Sequence, residues 1–278
     1  MITGVKLTTP TLIHVIPSQG GDRVNAVTSL DDDVFVARYY NEQIEVFDAV
    51  ILILQRHLTI PGLDKWLSGL AACPNNNCLY ASDIWNQSIH KVELSGSNAV
   101  KKWSVASRPA GLSVNREHNL IVACSGANKL QEYTTHGSLV REICLQASAT
   151  EPWHAIQLST GDYVVSHRVS PGVVSVVRVD GQVVRSYGQS QASDVGQLEG
   201  PARLAITKND NILVAVTCSN NRILSTDSSL SSIQELALSV VGGIANPQGL
   251  CLDELRGRLY VGEWGGDSRV LVFDGVYV

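Results

Sequence analysis

This 278-residue chain lacks the features that define several broad classes of protein. Its longest apolar run covers only residues 49–54, far short of the roughly 20 residues a membrane-spanning helix needs. Residues 1–10 hold no apolar stretch of signal-peptide length, so secretion is not indicated and a cytoplasmic location is expected. An excess of basic charge is also missing. Lys and Arg number 21 against 26 Asp and Glu, a net charge of −5, so the body as a whole offers no polyanion-binding footprint. Low-complexity sequence is absent, and with 44% hydrophobic and 17% charged residues the chain has ample material for a core. Phenylalanine is scarce, at three residues against five Trp and eight Tyr. Of the six cysteines, Cys124, Cys144, Cys218 and Cys251 sit among apolar strand residues, where a free thiol acts as a small hydrophobe. Cys73 and Cys78 flank the turn Pro74-Asn75-Asn76-Asn77 and would face each other across a hairpin. That geometry permits a bridge, but so short a loop gains little from one and cytosolic thiols stay reduced.

What the chain does have is a period. Six short apolar strands recur as Val34-Phe35-Val36, Leu79-Tyr80-Ala81, Leu120-Ile121-Val122, Tyr163-Val164-Val165, Ile212-Leu213-Val214 and Leu259-Tyr260-Val261. Their starts lie 45, 41, 43, 49 and 47 residues apart. The strand before each keeps step through Asn25, Gly69, Gly111, His154, Arg203 and Gly249. Several short strands per repeat at this spacing, with no helical pattern, predict an all-β, six-bladed β-propeller with four antiparallel strands per blade. The sixth unit lacks a fourth strand, while Thr11-Leu12-Ile13-His14-Val15-Ile16 precedes the first unit and belongs to none. The N-terminal strand is therefore expected to complete the last blade and leave no open pairing edge, making residues 1–278 one domain, expected to be monomeric.

The segment Tyr187-Gly188, Gly196-Gln197-Leu198, Pro201, Leu204-Ala205-Ile206, Asn211-Ile212-Leu213-Val214-Ala215 and Asn220-Asn221-Arg222-Ile223 resembles an NHL repeat. The likeness continues in Asn246-Pro247-Gln248-Gly249-Leu250 with Leu259-Tyr260-Val261-Gly262-Glu263, and in Arg108-Pro109-Ala110-Gly111-Leu112. Repeats one and four depart from it: no Pro precedes Asn25, and His154 and His167 stand where the family usually has Gly and Asp. No Trp-Asp dipeptide occurs, which disfavours a WD-repeat propeller. The resemblance implies a six-bladed propeller, as in the C-terminal part of tripartite-motif ubiquitin ligases, where the propeller recruits substrate.

Antiparallel neighbours bring the start of each first strand and the end of each second strand to the same end of a blade. One mouth of the channel should then gather Asn25, Gly69, Gly111, His154, Arg203 and Gly249 with Arg38, Asp83, Cys124, His167, Val216 and Glu263. Tyr39, Tyr40, Trp85, Trp153 and Trp264 stand just beyond. The binding set expected from this placement is Asn25, Arg38, Tyr39, Asp83, Trp85, His154, His167, Arg203, Glu263 and Trp264. Each has a structural reading as well. Asp83 and Glu263 would accept N–H bonds from the next turn, Arg38 and Arg203 would pair with carboxylates between blades, the two histidines would be satisfied strand residues, and Trp85 and Trp153 would fill gaps between blades. His14, His57, His90, His118 and His136 show no metal-ligand spacing and read as surface or turn residues.

Three functions stay open. The first is a non-catalytic module that binds a protein or peptide through aromatic and Arg side chains, the types that dominate interface hot spots, with no cofactor and no membrane. The second is single-stranded RNA binding, which the resemblance allows and the acidic balance opposes. The third is a metal-dependent lyase or lactonase-type enzyme with Asp83, His154, His167 and Glu263 as ligands. These four residues lie in separate repeats or strands with no short motif, so no metal is expected.

Overall fold

A computed structural model describes residues 9–18, 20–63, 65–96, 98–146, 149–188 and 198–276. β1 (Thr11–Ile16) comes first. Blade one is β2 (Val24–Leu30), β3 (Asp33–Arg38), β4 (Gln43–Asp48) and β5 (Leu54–Thr59), and blade two is β6 (Leu67–Cys73), β7 (Cys78–Asp83), β8 (Ser88–Glu93) and β9 (Val100–Ser104). Blade three is β10 (Pro109–Val114), β11 (Leu120–Cys124), β12 (Lys129–Tyr133) and β13 (Leu139–Cys144). Blade four follows with β14 (Pro152–Gln157), β15 (Tyr163–His167), β16 (Val173–Val177) and β17 (Val183–Tyr187). Blade five is β18 (Pro201–Ile206), β19 (Ile212–Val216), β20 (Arg222–Thr226) and the two-residue β21 (Gln234–Glu235). Blade six has β22 (Pro247–Asp253), β23 (Arg258–Glu263) and β24 (Val270–Asp274), with β1 as its outer strand. All pairings within the six sheets are antiparallel, and β1 lies in register with β24 from Thr11↔Asp274 to Ile16↔Val270. The ring is thus closed between the two ends of the chain, as the strand arithmetic expects.

Continuous apolarity in the strands has a direct cause: both faces of every blade are covered. Phe35 packs with Leu70 and Leu79 of blade two, whereas its neighbours Val34 and Val36 pack with Tyr260 and Val272 of blade six. Strand alternation sends successive side chains to opposite faces, and six apolar clusters fill the six interfaces between blades. Near the axis the inner strands crowd. A Cβ added at Gly111 would clash with the Trp153 carbonyl, and would lie 2.5 Å from the His154 ring and 2.7 Å from an Arg203 nitrogen.

Three side chains, Cys144, Cys218 and His90, depart from the sequence reading. Cys144 and Cys218 are exposed instead of packed in strands. His90 is fully buried in β8, 3.8 Å from Asp83. Cys73 and Cys78 pair in register across their hairpin as free thiols inside the interface between blades two and three. Gly196 and Gln197 of the repeat motif lie outside the described residues. Among the described residues no helix is long and apolar enough to cross a membrane.

Candidate functional site

Most of the charged residues expected at the mouth are tied into the framework instead. Arg38 is 2% exposed. Its Nε donates to Glu45 at 2.8 Å and its terminal nitrogens donate to the carbonyls of Pro17, Asp22 and Ser268, so it fastens the segment after β1 to blade one. Asp83 is buried and accepts the Asn86 main-chain N–H at 3.0 Å and its side-chain amide at 2.8 Å. Glu263 is buried as well, accepting the Ala245 N–H at 2.9 Å and pairing with Arg269 at 2.8 Å. Each carboxylate thus tethers a neighbouring turn or loop, the role that its structural reading describes. Arg38 pairs within its own blade, not between blades.

The two histidines are equally committed. His154 Nε2 lies 2.9 Å from the Leu112 carbonyl of blade three, and its Nδ1 accepts the Leu204 N–H of blade five at 3.2 Å. Only a neutral ring with its proton on Nε2 satisfies both contacts. Burial, together with the Arg203 charge, holds its pKa down at about 3. His167 bonds the Thr150 carbonyl through Nδ1 at 3.0 Å and the Ser175 hydroxyl through Nε2 at 2.6 Å, and burial lowers it to about 4. Asp83, His154, His167 and Glu263 therefore do not converge, and each is engaged with its own partners. No group of three metal-binding side chains occurs among the described residues.

What the structure does bring together is aromatic. Tyr39, at the end of β3, meets Tyr40, Trp66 and Trp264 edge-on with ring centroids 4.3, 4.9 and 5.7 Å apart, and Trp66 continues the contact to Trp85 at 5.7 Å. The arc from Trp264 to Trp85 crosses blades six, one and two. Asn25 fixes one end of it by accepting the Trp264 indole N–H at 3.1 Å while donating to the Leu67 carbonyl at 2.7 Å. Trp85 and Tyr40 are the exposed members, at 56% and 57%.

Beside the arc lies a cleft of about 670 Å³ lined by Trp85, Arg108, Asn128, Thr150, Trp153 and Arg168. A second hollow of about 250 Å³ adjoins it over the channel and shares Ile84, Trp85, Trp153 and Arg168 with it. Arg203 and Trp264 line that second hollow, and Arg203 with His154 also lines the channel space beneath. Arg203 reaches across the axis from β18, donating to the carbonyls of Ala110 at 3.3 Å and of Ser68. Desolvation lowers its pKa to about 10, with Arg168 adding repulsion, so it stays charged at neutral pH. Arg168 lies 4.4 Å and Arg203 6.0 Å from the Trp153 ring centre, and Arg23 lies 4.0 Å over Trp264.

Of the ten expected site residues, Asn25, Tyr39, Trp85, Arg203 and Trp264 line these hollows, while Arg38, Asp83, His167 and Glu263 do not and His154 faces the channel below. Strand-end counting missed Trp66, Arg23, Arg108 and Arg168, all of which sit in connections between strands. A usable signal was there. Arg168 directly follows His167, and Trp66 directly precedes β6.

No protein-family model and no curated protein matches the chain in sequence. Solved structures do match in fold. A hydrazine synthase from Kuenenia stuttgartiensis superposes with a TM-score of 0.68 at 18% identity, over 99% of this chain and 80% of that one. A streptogramin B lyase gives 0.67 at 13% identity, over 97% and 99%. Virginiamycin B lyase from Staphylococcus aureus gives 0.66 at 12%, over 95% and 88%. At these identities the likeness extends to architecture alone, and the chain is a six-bladed β-propeller whose chemistry must be argued from its own residues.

Proposed function

We propose that the protein is a non-catalytic binding module that takes a protein or peptide segment on the aromatic mouth of the propeller. The observation that carries this reading is the unbroken arc Trp264–Tyr39–Trp66–Trp85 beside a cleft of about 670 Å³. Trp85 and Tyr40, more than half exposed at the edge of the arc, gain little for the fold, while aromatic rings supply much of the energy in recognition interfaces. Through its resemblance to NHL repeats, such a module would act as the recruiting part of a larger assembly, a ubiquitin ligase included.

Single-stranded RNA is the second reading, favoured by the arginines stacked on Trp153 and Trp264. A metal-dependent lyase is the weaker alternative. Two fold neighbours are lyases by name, but the acid and histidine side chains that would serve as ligands here already hold main-chain and side-chain partners.

Selection from a displayed random-peptide library, followed by calorimetry with the enriched peptides, tests the proposal. The double variant Trp85→Ala with Tyr40→Ala should lose at least tenfold in peptide affinity while its circular dichroism and melting temperature stay at wild-type values, since both rings are more than half exposed. Unchanged affinity would remove the arc from the site. Tighter binding of a decauridylate RNA than of any selected peptide at low salt would put RNA first.

A further inference from the structure

We infer that the hollow between Trp153, Arg168 and Arg203 is a carboxylate receptor, so that the segment bound at the mouth is anchored by one carboxylate of the peptide. This rests on the peptide-binding reading and specifies its ligand. Arg203 is 5% exposed and lines the hollow over the channel. A guanidinium so withdrawn from water normally sits against a carboxylate, because burying an unpaired charge is costly. Among the described residues its partners are main-chain carbonyls, Trp153, the neutral His154 ring and the like-charged Arg168, with no carboxylate.

Half of the fourteen arginines hold a carboxylate among the described residues. Arg38, Arg56, Arg116, Arg141, Arg256, Arg258 and Arg269 all hold carboxylates, whereas among the described residues Arg23, Arg108, Arg168, Arg178, Arg185, Arg203 and Arg222 form no ion pair. Of these, Arg23, Arg108, Arg168 and Arg203 sit at the mouth, two of them on one tryptophan. Glu151 also lines the larger cleft and forms no ion pair with either Arg108 or Arg168. The Trp153 indole N–H is a further buried donor without an acceptor among the described residues. The Arg168 guanidinium, the N–H groups that Arg203 does not give to the Ala110 and Ser68 carbonyls, and the indole donor match the lone pairs of a single carboxylate.

A polyanion fits less well. Around the same face stand Glu42, 3.5 Å from Lys65, Asp267, 3.7 Å from Arg269, and Glu151. Successive phosphates of a nucleic acid strand would meet these carboxylates, while Arg168 and Arg203 lie together over Trp153. A single carboxylate over Trp153 would meet, of these three acids, Glu151 alone, which lines the larger cleft.

Three acetylated pentapeptides of glycine and phenylalanine test the inference: one with a free C-terminal carboxylate, its C-terminal amide, and an amide with a single internal glutamate. Binding would be followed on ¹⁵N-labelled protein through the Trp153 indole signal, assigned with Trp153→Phe. At least one carboxylate peptide should bind tenfold or more tightly than the plain amide and shift that signal, and which one does identifies a chain end or a side chain as the source. Arg168→Gln, at an exposed residue, should abolish the preference with the fold intact, and Arg203→Gln should do the same where it folds. Equal binding of all three peptides, with sensitivity to Trp85→Ala retained, would overturn the carboxylate receptor while keeping the peptide-binding face. Arg168→Gln with an undiminished preference would overturn it as well, and so would a decauridylate or inorganic phosphate that displaces the peptides at equal concentration.

Discussion

At the scale of single residues, His154 shows how a strand histidine becomes a strut. Its ring joins blade three to blade five through one donated and one accepted bond, a pattern that only the neutral form can hold. Protonation would break the Leu204 contact and place a second charge beside Arg203. His167 is committed in the same way between Thr150 and Ser175. Both native values, about 3 and about 4, lie below the ordinary histidine value of 6.5. The unfolded chain therefore binds protons that the native state refuses as pH falls below about 6.5. Stability is complete above that pH and declines on acidification towards 4, at up to about 1.4 kcal/mol per pH unit for each ring. Urea unfolding at pH 7, 6 and 5 should show this decline in the wild type and a shallower one in His154→Gln or His167→Gln. Identical slopes in all three proteins would show that these rings titrate freely in the native state. Neither bond pattern was legible in the sequence, because the partners of His154 lie 42 and 50 residues away.

At the scale of elements, the six inner strands set how closely the blades approach the axis. Gly111 in β10 leaves room for the Arg203 and His154 side chains, and a methyl group there meets main chain as well as both of them. Gly69 in β6 is less confined, its added Cβ finding its nearest neighbours at 3.1 to 3.2 Å. Gly111→Ala should therefore cost about 1–3 kcal/mol, as overpacking does in a filled core, whereas Gly69→Ala should cost less. Chemical denaturation midpoints would rank them, and a reversed order would contradict the crowding described for β10. The strands themselves were legible because burial on both faces makes them apolar throughout. The connections between them were not, since Trp66, Arg108 and Arg168 occupy turns whose placement depends on the neighbouring blades.

At the scale of the whole molecule, closure rests on β1. It covers the outer edge of β24, buries Ile16 in the core between blades six and one, and packs Leu12 and Val15 against the core between blades five and six, and the segment after it is held by Arg38. Removing residues 1–18 would expose the β24 edge and leave that guanidinium without the Pro17 carbonyl. At about 2–4 °C per kcal/mol for a domain near this size, the loss of several kcal/mol should lower the melting temperature by roughly 10 °C or promote association through the free edge. Scanning calorimetry and size-exclusion chromatography would detect either effect. A truncated protein that melts as the full chain does and stays monomeric would refute closure by β1.

By itself the sequence determined the architecture. A period of 41 to 49 residues, strands apolar on both faces and one strand displaced to the other end of the chain are each consequences of packing identical units around an axis, and such constraints act at every repeat. What only the tertiary structure decided is which polar residues remain free. Arg38 and Arg203 look alike as neighbours of strand ends, yet one meets Glu45 and the other, among the described residues, meets carbonyls, Trp153, His154 and a second arginine but no carboxylate. That difference depends on the rotation of one blade against another and on loops that reach across them, and electrostatic pairing over a few ångströms is set by those distances and not by position within the repeat.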